Sequence, residues 1–440
     1  MSFAERRVGI SRGRTSYELQ DVRDRLRDVL ALIGCDWKSI AGPGDRVVLK
    51  PNLVRECHVS RPEEWEQIIT NGTIVQAVAE EVAAAMSGVG TLTIADSPQT
   101  DSNFDAISNR LGLDEFAVLL SQRYPRLTLR IVDLRREAWV TRGSVVVQRR
   151  RLPDAPEGYT CVDLASNSCF RDKPGPFYGA DYDTQFTDAH HSSGHHRYLL
   201  ARLALDADVF INLPKLKTHK KVGVTLSLKN LVGINGDKNY LPHFTQGTPG
   251  VQGDEFASDE LKNRVQGQGL RAFRTFMRGA SPIARVLGPA LRSAGRGVFG
   301  DTSTVVRSGN WHGNDTAWRM VLDLNRILFH FDGSAAIRQR PLRYLSIVDG
   351  IVGGDGNGPL EADAVASGVL IAGRNPVAVD LVCCTLMGFD WRRVPTIREA
   401  FELQELRLTD FGPDDIQIRP QVGAPLKFRP HFGWVGALGD

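Results

Sequence analysis

Short apolar runs alternate with amphipathic stretches along most of the chain. Apolar runs at 46–50 and 92–95 are each followed by a helical pattern, over 73–86 and 104–122. Apolar residues at helical spacing predict helices, whereas short apolar runs bounded by turn formers predict buried strands. Strands that alternate with helices in this way indicate a mainly parallel sheet and an α/β fold.

The same alternation divides the chain into segments. We predict two Rossmann-like lobes with mainly parallel sheets, an α/β core lobe at 1–135 and 198–235 and a second α/β lobe at 316–440. The core lobe includes a predicted helix over its residues 198 to 205. Residues 136–197 predict a hairpin followed by a polar loop. Residues 236–315 are rich in turn formers, and because a structureless loop of that length is uncommon, we expect a partly helical insertion or lid.

Charge and hydropathy argue against a nucleic-acid partner and against insertion into a membrane. The 440 residues include 54 Lys and Arg and 51 Asp and Glu, a formal net charge of +3. A charge this small favours no nucleic-acid partner. No apolar window reaches the roughly 18 residues that cross a bilayer. Arg6 and Arg7 are not followed by the apolar core of a signal peptide, so we predict none. We therefore expect a cytoplasmic protein without membrane insertion, and the oligomeric state stays open.

A group of cations follows the apolar run at 209–211. A strand that ends in this way is typical of the carboxyl edge of a parallel sheet, where open α/β sheets bind ligands. Clustered cations favour an anion, so the segment predicts a small anionic substrate. Its cationic residues are Lys215, Lys217, His219, Lys220, Lys221 and Lys229.

Polar residues also follow other predicted strands, at 50–52, 96–97, 212–217 and 349–350. In a parallel sheet these strand ends project to one rim and supply one pocket. The alternative is that Asn, Asp and Pro serve there only as turn formers. The candidate anion ligands at these ends are Lys50, Asn52, Asn212, Lys215 and Lys217.

His219 and Lys229 are the predicted catalytic residues. An imidazole among ammonium groups stays neutral near pH 7, which suits a general base. A lysine in a crowded cationic pocket has a lowered pKa and can act as a nucleophile. Alternatively, His219 only orients its loop, and Lys229 with Asn230 opens a helix and binds an anion by charge alone.

Two further motifs offer backbone amides and carboxylates. Thr70 and Thr73 open a predicted helix, whose free N–H groups either bind an anion or are simply capped. A glycine-rich loop after the strand at 345–348 lets backbone approach a ligand closely, which makes Gly356 a candidate ligand-binding residue. Asp349 and Asp355 in the same segment are candidates for holding a divalent metal.

The motifs together resemble a family known as domain of unknown function 362 (DUF362). They span residues 45 to 395 in the family's order. Two more segments, at 233–247 and 309–326, look like a subtype associated with polysaccharide gene clusters, which implies a role in polysaccharide biosynthesis. The matching motifs are VVLKPNLV (47–54), TNGTIVQAV (70–78), INLPKLKTH (211–219), LKNLVG (228–233), DGIVGGDGNGP (349–359), NPVAVD (375–380) and MGFD (387–390).

A more distant resemblance is to the nickel-pincer lactate racemases. In that group a His is followed by a Gly-containing turn and, ten residues after the His, by a Lys that carries the cofactor. His219, Gly223 and Lys229 keep this spacing, whereas Asp96-Ser97-Pro98 replaces a strand end that contributes a histidine. The resemblance implies racemisation or epimerisation. The cofactor stays open between a divalent metal and a lysine-linked group.

Cysteine spacing bears on a third kind of cofactor. Some members of the DUF362 family carry a ferredoxin-like cluster domain. None of the six cysteines of this chain forms a C-x-x-C pair, so we expect no iron–sulfur cluster.

The leading hypothesis is an enzyme that is racemase- or epimerase-like. Its substrate would be a small anionic metabolite such as a hydroxy acid, a uronate or a sugar phosphate. Two alternatives stay open. One is a metal-dependent phosphate- or nucleotide-sugar transferase, and the other is a non-catalytic metabolite-binding protein.

Overall fold

The computed structural model describes a central β-sheet with helices on both faces. The prediction of an α/β fold with a mainly parallel sheet is confirmed. None of the described helices combines the length and apolarity needed to span a bilayer. The described residues are 5–142, 145–180, 184–277, 287–288 and 305–439.

Seventeen strands lie in the described ranges. They are β1 (Arg7–Arg12), β2 (Arg46–Pro51), β3 (Gly90–Asp96), β4 (Leu127–Asp133), β5 (Glu137–Arg142), β6 (Val145–Arg151), β7 (Tyr159–Asp163), β8 (Phe177–Tyr178), β9 (Arg197–Ala201), β10 (Val209–Leu213), β11 (Lys215–His219), β12 (Gly223–Val224), β13 (Phe244–Thr245), β14 (Arg343–Asn357), β15 (Glu361–Val365), β16 (Val369–Gly373) and β17 (Gln417–Arg419).

Twelve α-helices accompany these strands in the same part of the chain. They are α1 (Leu19–Leu32), α2 (Trp37–Ile40), α3 (Gly72–Ala85), α4 (Phe104–Arg110), α5 (Leu113–Arg123), α6 (Thr184–His190), α7 (Arg202–Leu205), α8 (Leu226–Asn230), α9 (Leu261–Met277), α10 (Ala317–His330), α11 (Pro376–Met387) and α12 (Pro395–Glu402).

Eleven of the strands form one sheet. Its main path runs β17-β1-β16-β14-β10-β2-β3-β4, with β11 and β15 paired to β14 and β12 paired to β11. The strands from β14 to β4 are parallel, whereas β16 is antiparallel to both of its neighbours. The strands of both predicted lobes therefore belong to one continuous sheet, and β1 lies between two strands from the other end of the chain.

Alternating side chains divide the core between the two faces of the sheet. On β2, Val47 and Leu49 pack with α1 and α3, whereas Val48 faces the layer that contains α10. This is the two-residue period of a strand that is buried on both faces. The carboxyl ends of β2, β3 and β10 then share one edge, because the three strands are parallel neighbours.

Local signals explain two of the helix boundaries. The Asn71 side chain accepts a hydrogen bond from the Thr73 N–H at 2.9 Å and caps α3. Helix α11 has Pro376 in its first turn and ends at Gly388, whose φ of 96° is left-handed. Both features follow the preference for Asn caps, for Pro at a helix start and for Gly after its end.

The prediction of a helix over 198–205 is wrong for its first half. Strand β9 occupies Arg197–Ala201 and pairs antiparallel with β7, and only Arg202–Leu205 is helical. Tyr198 and Leu200 are fully buried in the core beneath this pair. A short apolar run is compatible with either state, so the pairing partner decides.

The segments predicted as connectors contain local structure of their own. Strands β5 and β6 form the predicted hairpin, and β8 pairs with β13 from the predicted insertion. Within the insertion the structure describes 236–277, 287–288 and 305–315. The rest of the predicted lid lies outside the described residues.

Candidate functional site

A cavity of about 330 Å³ opens at the shared edge of the sheet. The ends of β2, β3 and β11 line it, together with α8 and the segment that follows α8. Its volume falls within the range of small-molecule sites. The carboxyl edge of the sheet therefore carries a pocket, as the strand ends predicted.

Cations dominate the described lining of this cavity. Six lysines and two histidines face a single carboxylate, that of Asp96. Charges of one sign in a partly enclosed space attract a ligand of the opposite sign. The lysines are Lys50, Lys217, Lys220, Lys221, Lys229 and Lys238.

The carboxylate of Asp96 is already engaged. Its Oδ1 lies 2.7 Å from Lys50 Nζ, and both side chains are almost fully buried. Its Oδ2 accepts the Leu53 N–H at 2.6 Å. Asp96 therefore forms its ion pair with Lys50, and the described lining has six lysines for this one carboxylate.

Amide side chains tie the Lys50 strand end to α8. Asn230 Oδ1 accepts from Asn52 Nδ2 at 2.8 Å and from Lys50 Nζ at 3.3 Å. Asn230 Nδ2 donates to Asn212 Oδ1 at 2.7 Å. A fully bonded polar network of this kind holds its members in one arrangement.

Lys217 is buried without a carboxylate partner among the described residues. Its Nζ donates to Asn52 Oδ1 at 3.0 Å, to Pro359 O at 3.5 Å and to Ile68 O. Burial, followed by the charges of neighbouring lysines, lowers the pKa of Lys217 well below its ordinary value. An anion bound beside it would favour the charged form.

Lys229 differs from the other lysines in having no described hydrogen bond or ion pair. Its side chain is partly exposed in the cavity. Burial, followed by the charge of Lys50, lowers the pKa of Lys229 to about 8. A substantial fraction of this amine is therefore neutral near pH 7.5, and its nitrogen is open to a ligand.

Two more lysines titrate near neutrality. Burial, followed by the charge of Lys220, lowers the pKa of Lys221 to about 7. Burial also lowers the pKa of Lys238 to about 7. Lys221 donates to Ser308 O, and Lys238 donates to Ser97 O and Oγ at 2.8 Å each. The charge of the cavity therefore changes steeply across the neutral pH range.

The two histidines of the lining use the same ring nitrogen, Nδ1, in opposite hydrogen-bonding roles toward the backbone. His219 Nδ1 accepts the Lys221 N–H at 3.1 Å, so the neutral ring carries its proton on Nε2. His243 Nδ1 lies 2.8 Å from Leu241 O and donates to it, so its Nε2 holds the lone pair. Burial, followed by nearby lysines, lowers the pKa of His219 well below its ordinary value and that of His243 to about 3. A neutral His219 therefore offers its Nε2–H as a hydrogen-bond donor, and its role as a general base stays a prediction.

Asp380 of the NPVAVD motif positions α8. Its carboxylate accepts the Ser227 N–H at 2.7 Å and the Leu228 N–H at 2.9 Å, at the start of the helix. This anchor fixes the helix that carries Lys229 and Asn230. The role of Asp380 could not be seen in the sequence, because the motif lies some 150 residues from α8.

Lys215 and Asp349 lie away from the cavity and bind each other. Lys215 Nζ is 2.8 Å from Asp349 Oδ2, and both side chains are fully buried. Asp349 also accepts from Tyr17 Oη and from the Asn71 N–H at 2.9 Å each. The anion held by Lys215, and by the backbone ahead of α3, is therefore a carboxylate of the protein itself.

The remaining predicted ligands also lie outside the cavity lining. Thr70 donates to Leu213 O at 2.6 Å, and Thr73 lies in the first turn of α3. Asn212 supports Asn230 from behind the lining. Gly356 belongs to β14, since the glycine-rich segment predicted as a loop continues that strand. Of the predicted ligands, the structure brings together Lys50, Asn52, Lys217, His219, Lys229 and Asn230.

The two predicted metal ligands are separated along β14. Asp355 accepts from Arg429 Nε at 3.0 Å and Nη2 at 2.7 Å, whereas Asp349 pairs with Lys215. No group of three or more His, Cys, Asp or Glu side chains arranged to hold a metal occurs within the described ranges. We therefore leave both carboxylates out of the candidate site.

Gly233 allows the close approach of the Lys50–Asp96 pair. A Cβ at this position would lie 1.9 Å from Asp96 Oδ1 and 2.6 Å from Lys50 Nζ. We expect Gly233→Ala to break the buried pair and to reduce the free energy of unfolding by about 3 kcal/mol. Urea denaturation measures this loss. Gly269→Ala is the control, because a Cβ there meets nothing within 4 Å, and an equal loss in both variants would contradict the assignment.

Comparison with known proteins agrees with the motifs. A thylakoid-associated protein of Synechocystis sp. is 30% identical over 224 residues, which cover 50% of this chain and 47% of that protein. The chain thus spans about half the length of the curated relative that it matches. The family described as "Domain of unknown function (DUF362)" matches residues 165–385, half of the chain, and the chain belongs to this family.

Proposed function

We propose that the protein is an enzyme that removes a proton beside the carboxylate or carbonyl of a small anionic metabolite. Racemisation or epimerisation of a hydroxy acid, a uronate or a sugar phosphate is the reaction class. One observation carries the proposal: the amine of Lys229 has no described partner in a cavity whose other lysines supply an anion site.

Lys229 is the proposed base. Its pKa of about 8 leaves a neutral fraction at physiological pH that can accept a proton. An ordinary lysine, with a pKa near 10.4, is almost entirely charged under the same conditions. Tuning of a lysine toward the working pH is the usual requirement for general-base catalysis.

The other lysines have a different task in this mechanism. Proton removal beside a carbonyl places negative charge on its oxygen, and preorganised cations stabilise that charge without rearrangement. Lys217 and Lys221 hold the anionic group, and the Nε2–H of His219 donates to the developing oxyanion. Asp96 keeps Lys50 charged and in position.

The resemblances refine the choice of substrate and cofactor. Residues 233–247, similar to a subtype from polysaccharide gene clusters, contribute Lys238 and His243 to the lining, which favours a uronate or a sugar phosphate. The spacing of His219, Gly223 and Lys229 supports the racemase-like reaction. If the protein carried a lysine-linked group, Lys229 would be the residue to hold it, and that group would then accept the substrate hydrogen in place of the free amine.

Exchange of substrate hydrogen with solvent tests the proposal without knowledge of the product. The protein from its own source is incubated in D₂O with hydroxy acids, uronates and sugar phosphates, and proton NMR follows the C–H signal beside each carboxylate or carbonyl. We expect one member of the panel to lose that signal. Its neutral ester or amide, which lacks the anionic charge, is the control and should not exchange.

A second outcome would overturn the enzymatic proposal. If a member of the panel binds tightly but no signal is lost from any of them, the cavity binds a metabolite without turnover. The third hypothesis, a non-catalytic metabolite-binding protein, would then replace the enzyme.

A further inference from the structure

Helix α9 presents an apolar stripe to solvent. Leu261, Val265, Gly269, Ala272 and Phe276 recur at intervals of three or four residues, which places them along one side of the helix. The large side chains are well exposed, at 77% for Leu261, 51% for Val265 and 40% for Phe276. This stripe is about 22 Å long at 1.5 Å per residue.

The opposite side of α9 packs on the protein through the buried side chain of Met277 and through the polar contacts of Arg274. Arg274 Nη2 lies 2.5 Å from Glu255 Oε1, and its Nη1 donates to Gln246 Oε1 at 3.0 Å. The Arg274 guanidinium also lies over the rings of Tyr178 and Phe244, at 4.8 and 5.5 Å. These buried contacts fix the rotation of the helix, so the apolar stripe faces outward as part of the fold. The helix therefore has a buried inner side, as surface helices usually do, and a second apolar side that is exposed.

Within α9 every charged side chain is a cation, and the exposed carboxylate of Glu260 directly precedes the helix. No Asp or Glu occurs between Glu260 and Asp301, whereas eight Lys and Arg residues do. Three of these cations, Lys262, Arg264 and Arg271, are exposed on α9 and flank the stripe on both of its sides. The partner of this surface must therefore combine negative charge with an apolar interior.

We propose that α9 docks on an anionic membrane surface, lying in the plane of the interface. A helix with an apolar side between cations matches the interfacial class, whose apolar residues enter the headgroup boundary. Its cations meet anionic lipid headgroups. A nucleic acid or an acidic peptide would satisfy the cations and leave Leu261, Val265 and Phe276 in water, which favours the membrane.

Co-sedimentation with vesicles tests the docking with the full chain. We expect the protein to bind phosphatidylcholine vesicles containing 30% phosphatidylglycerol at least tenfold more tightly than pure phosphatidylcholine. Raising the salt concentration should weaken this binding, because exposed charges are screened. Two triple variants, Leu261→Ser/Val265→Ser/Phe276→Ser and Lys262→Glu/Arg264→Glu/Arg271→Glu, should each reduce it at least tenfold.

Matched controls exclude general effects of hydrophobicity and charge. Val118→Ser/Leu119→Ser removes exposed apolar side chains from α5, and Lys38→Glu/Arg126→Glu/Arg340→Glu reverses three exposed cations elsewhere. Both should bind like wild type, and thermal unfolding confirms that every variant is folded. Three results would overturn the proposal: no binding to anionic vesicles, equal loss in the controls, or loss only in the charge variant. The last result would indicate a soluble polyanion as the partner.

Discussion

Replacing Lys229 with alanine is expected to slow hydrogen exchange on the substrate by about a thousandfold, the usual range for loss of a general base. The fold should persist, because the Lys229 amine makes no described hydrogen bond whose loss would leave a buried partner unpaired. Removing one cation from a crowded group of lysines also relieves repulsion. Proton NMR in D₂O measures the exchange, and thermal unfolding should show a melting temperature equal to or above that of wild type.

Lys229→Arg separates the two roles that a lysine can have here. Arginine keeps the positive charge but stays protonated at any accessible pH, so it binds an anion and does not act as a base. We expect this variant to retain substrate affinity and to lose the exchange. Lys221→Ala is the complementary variant, since it should weaken affinity and preserve the exchange rate at saturation. An active Lys229→Arg protein would show that Lys229 acts by charge alone.

The second large effect concerns pH. The pKa values of Lys221 and Lys238 are about 7 and that of Lys229 is about 8, so these lysines gain their charge as the pH falls from 9 to 6. An anion binds the charged form, and by linkage its binding raises these pKa values and takes up protons. We expect the affinity for sulfate, which stays a dianion in this range, to rise at least tenfold between pH 9 and pH 6.

Calorimetry in buffers with different ionisation enthalpies counts the protons taken up with sulfate. The Lys221→Ala/Lys238→Ala variant should lose most of the pH dependence. Without a bound anion, the free energy of unfolding changes with pH in the opposite direction to the anion affinity: it falls as the pH falls. Lysines whose pKa is lowered on folding stabilise the protein above pH 10, and this stability is lost as the pH falls through 8 and 7. Sulfate affinity that is independent of pH, or proton release on binding, would contradict the charge changes assigned to the cavity.

The strand ends of the parallel sheet could be predicted from the sequence because their geometry is general. Lys50 lies near the end of β2, Asn52 follows it, and Lys217 and His219 follow β10, so the parallel order of the sheet brings them together. Lys229 and Asn230 lie in the same cavity because they follow His219 within the same short segment. No detail of side-chain packing is needed for these residues.

Lys215 was predicted to line the cavity but lies outside it. Lys215 and Lys217 were both predicted to bind the anion, because both belong to the group of cations that follows the apolar run at 209–211. The pairing of β11 with β14 shifts register between them, and Lys215 turns to Asp349 while Lys217 lines the cavity. Such an irregularity depends on the neighbouring strand and has no local signal.

Lys238 and His243 were missed for a related reason. Both follow α8 in a segment rich in turn formers, whose placement depends on contacts with distant parts of the chain, such as the bond from Lys238 to Ser97. A lysine that is buried beside a cavity looks the same in sequence as one on the surface. The one signal in the sequence that could have pointed to Lys238 and His243 is their position in the segment 233–247, which resembles a subtype of the family.

The interleaved sheet also limits how the chain can be divided. The segment that matches the family, residues 165–385, contains β10, β14 and β16 but lacks their neighbours β2 and β1. Isolated, it would expose the unpaired edges of β10 and β16, and such edges favour aggregation. Most of the sheet pairs strands that are distant in sequence, a topology associated with slow and cooperative folding. The unit that folds is therefore larger than the segment that matches the family.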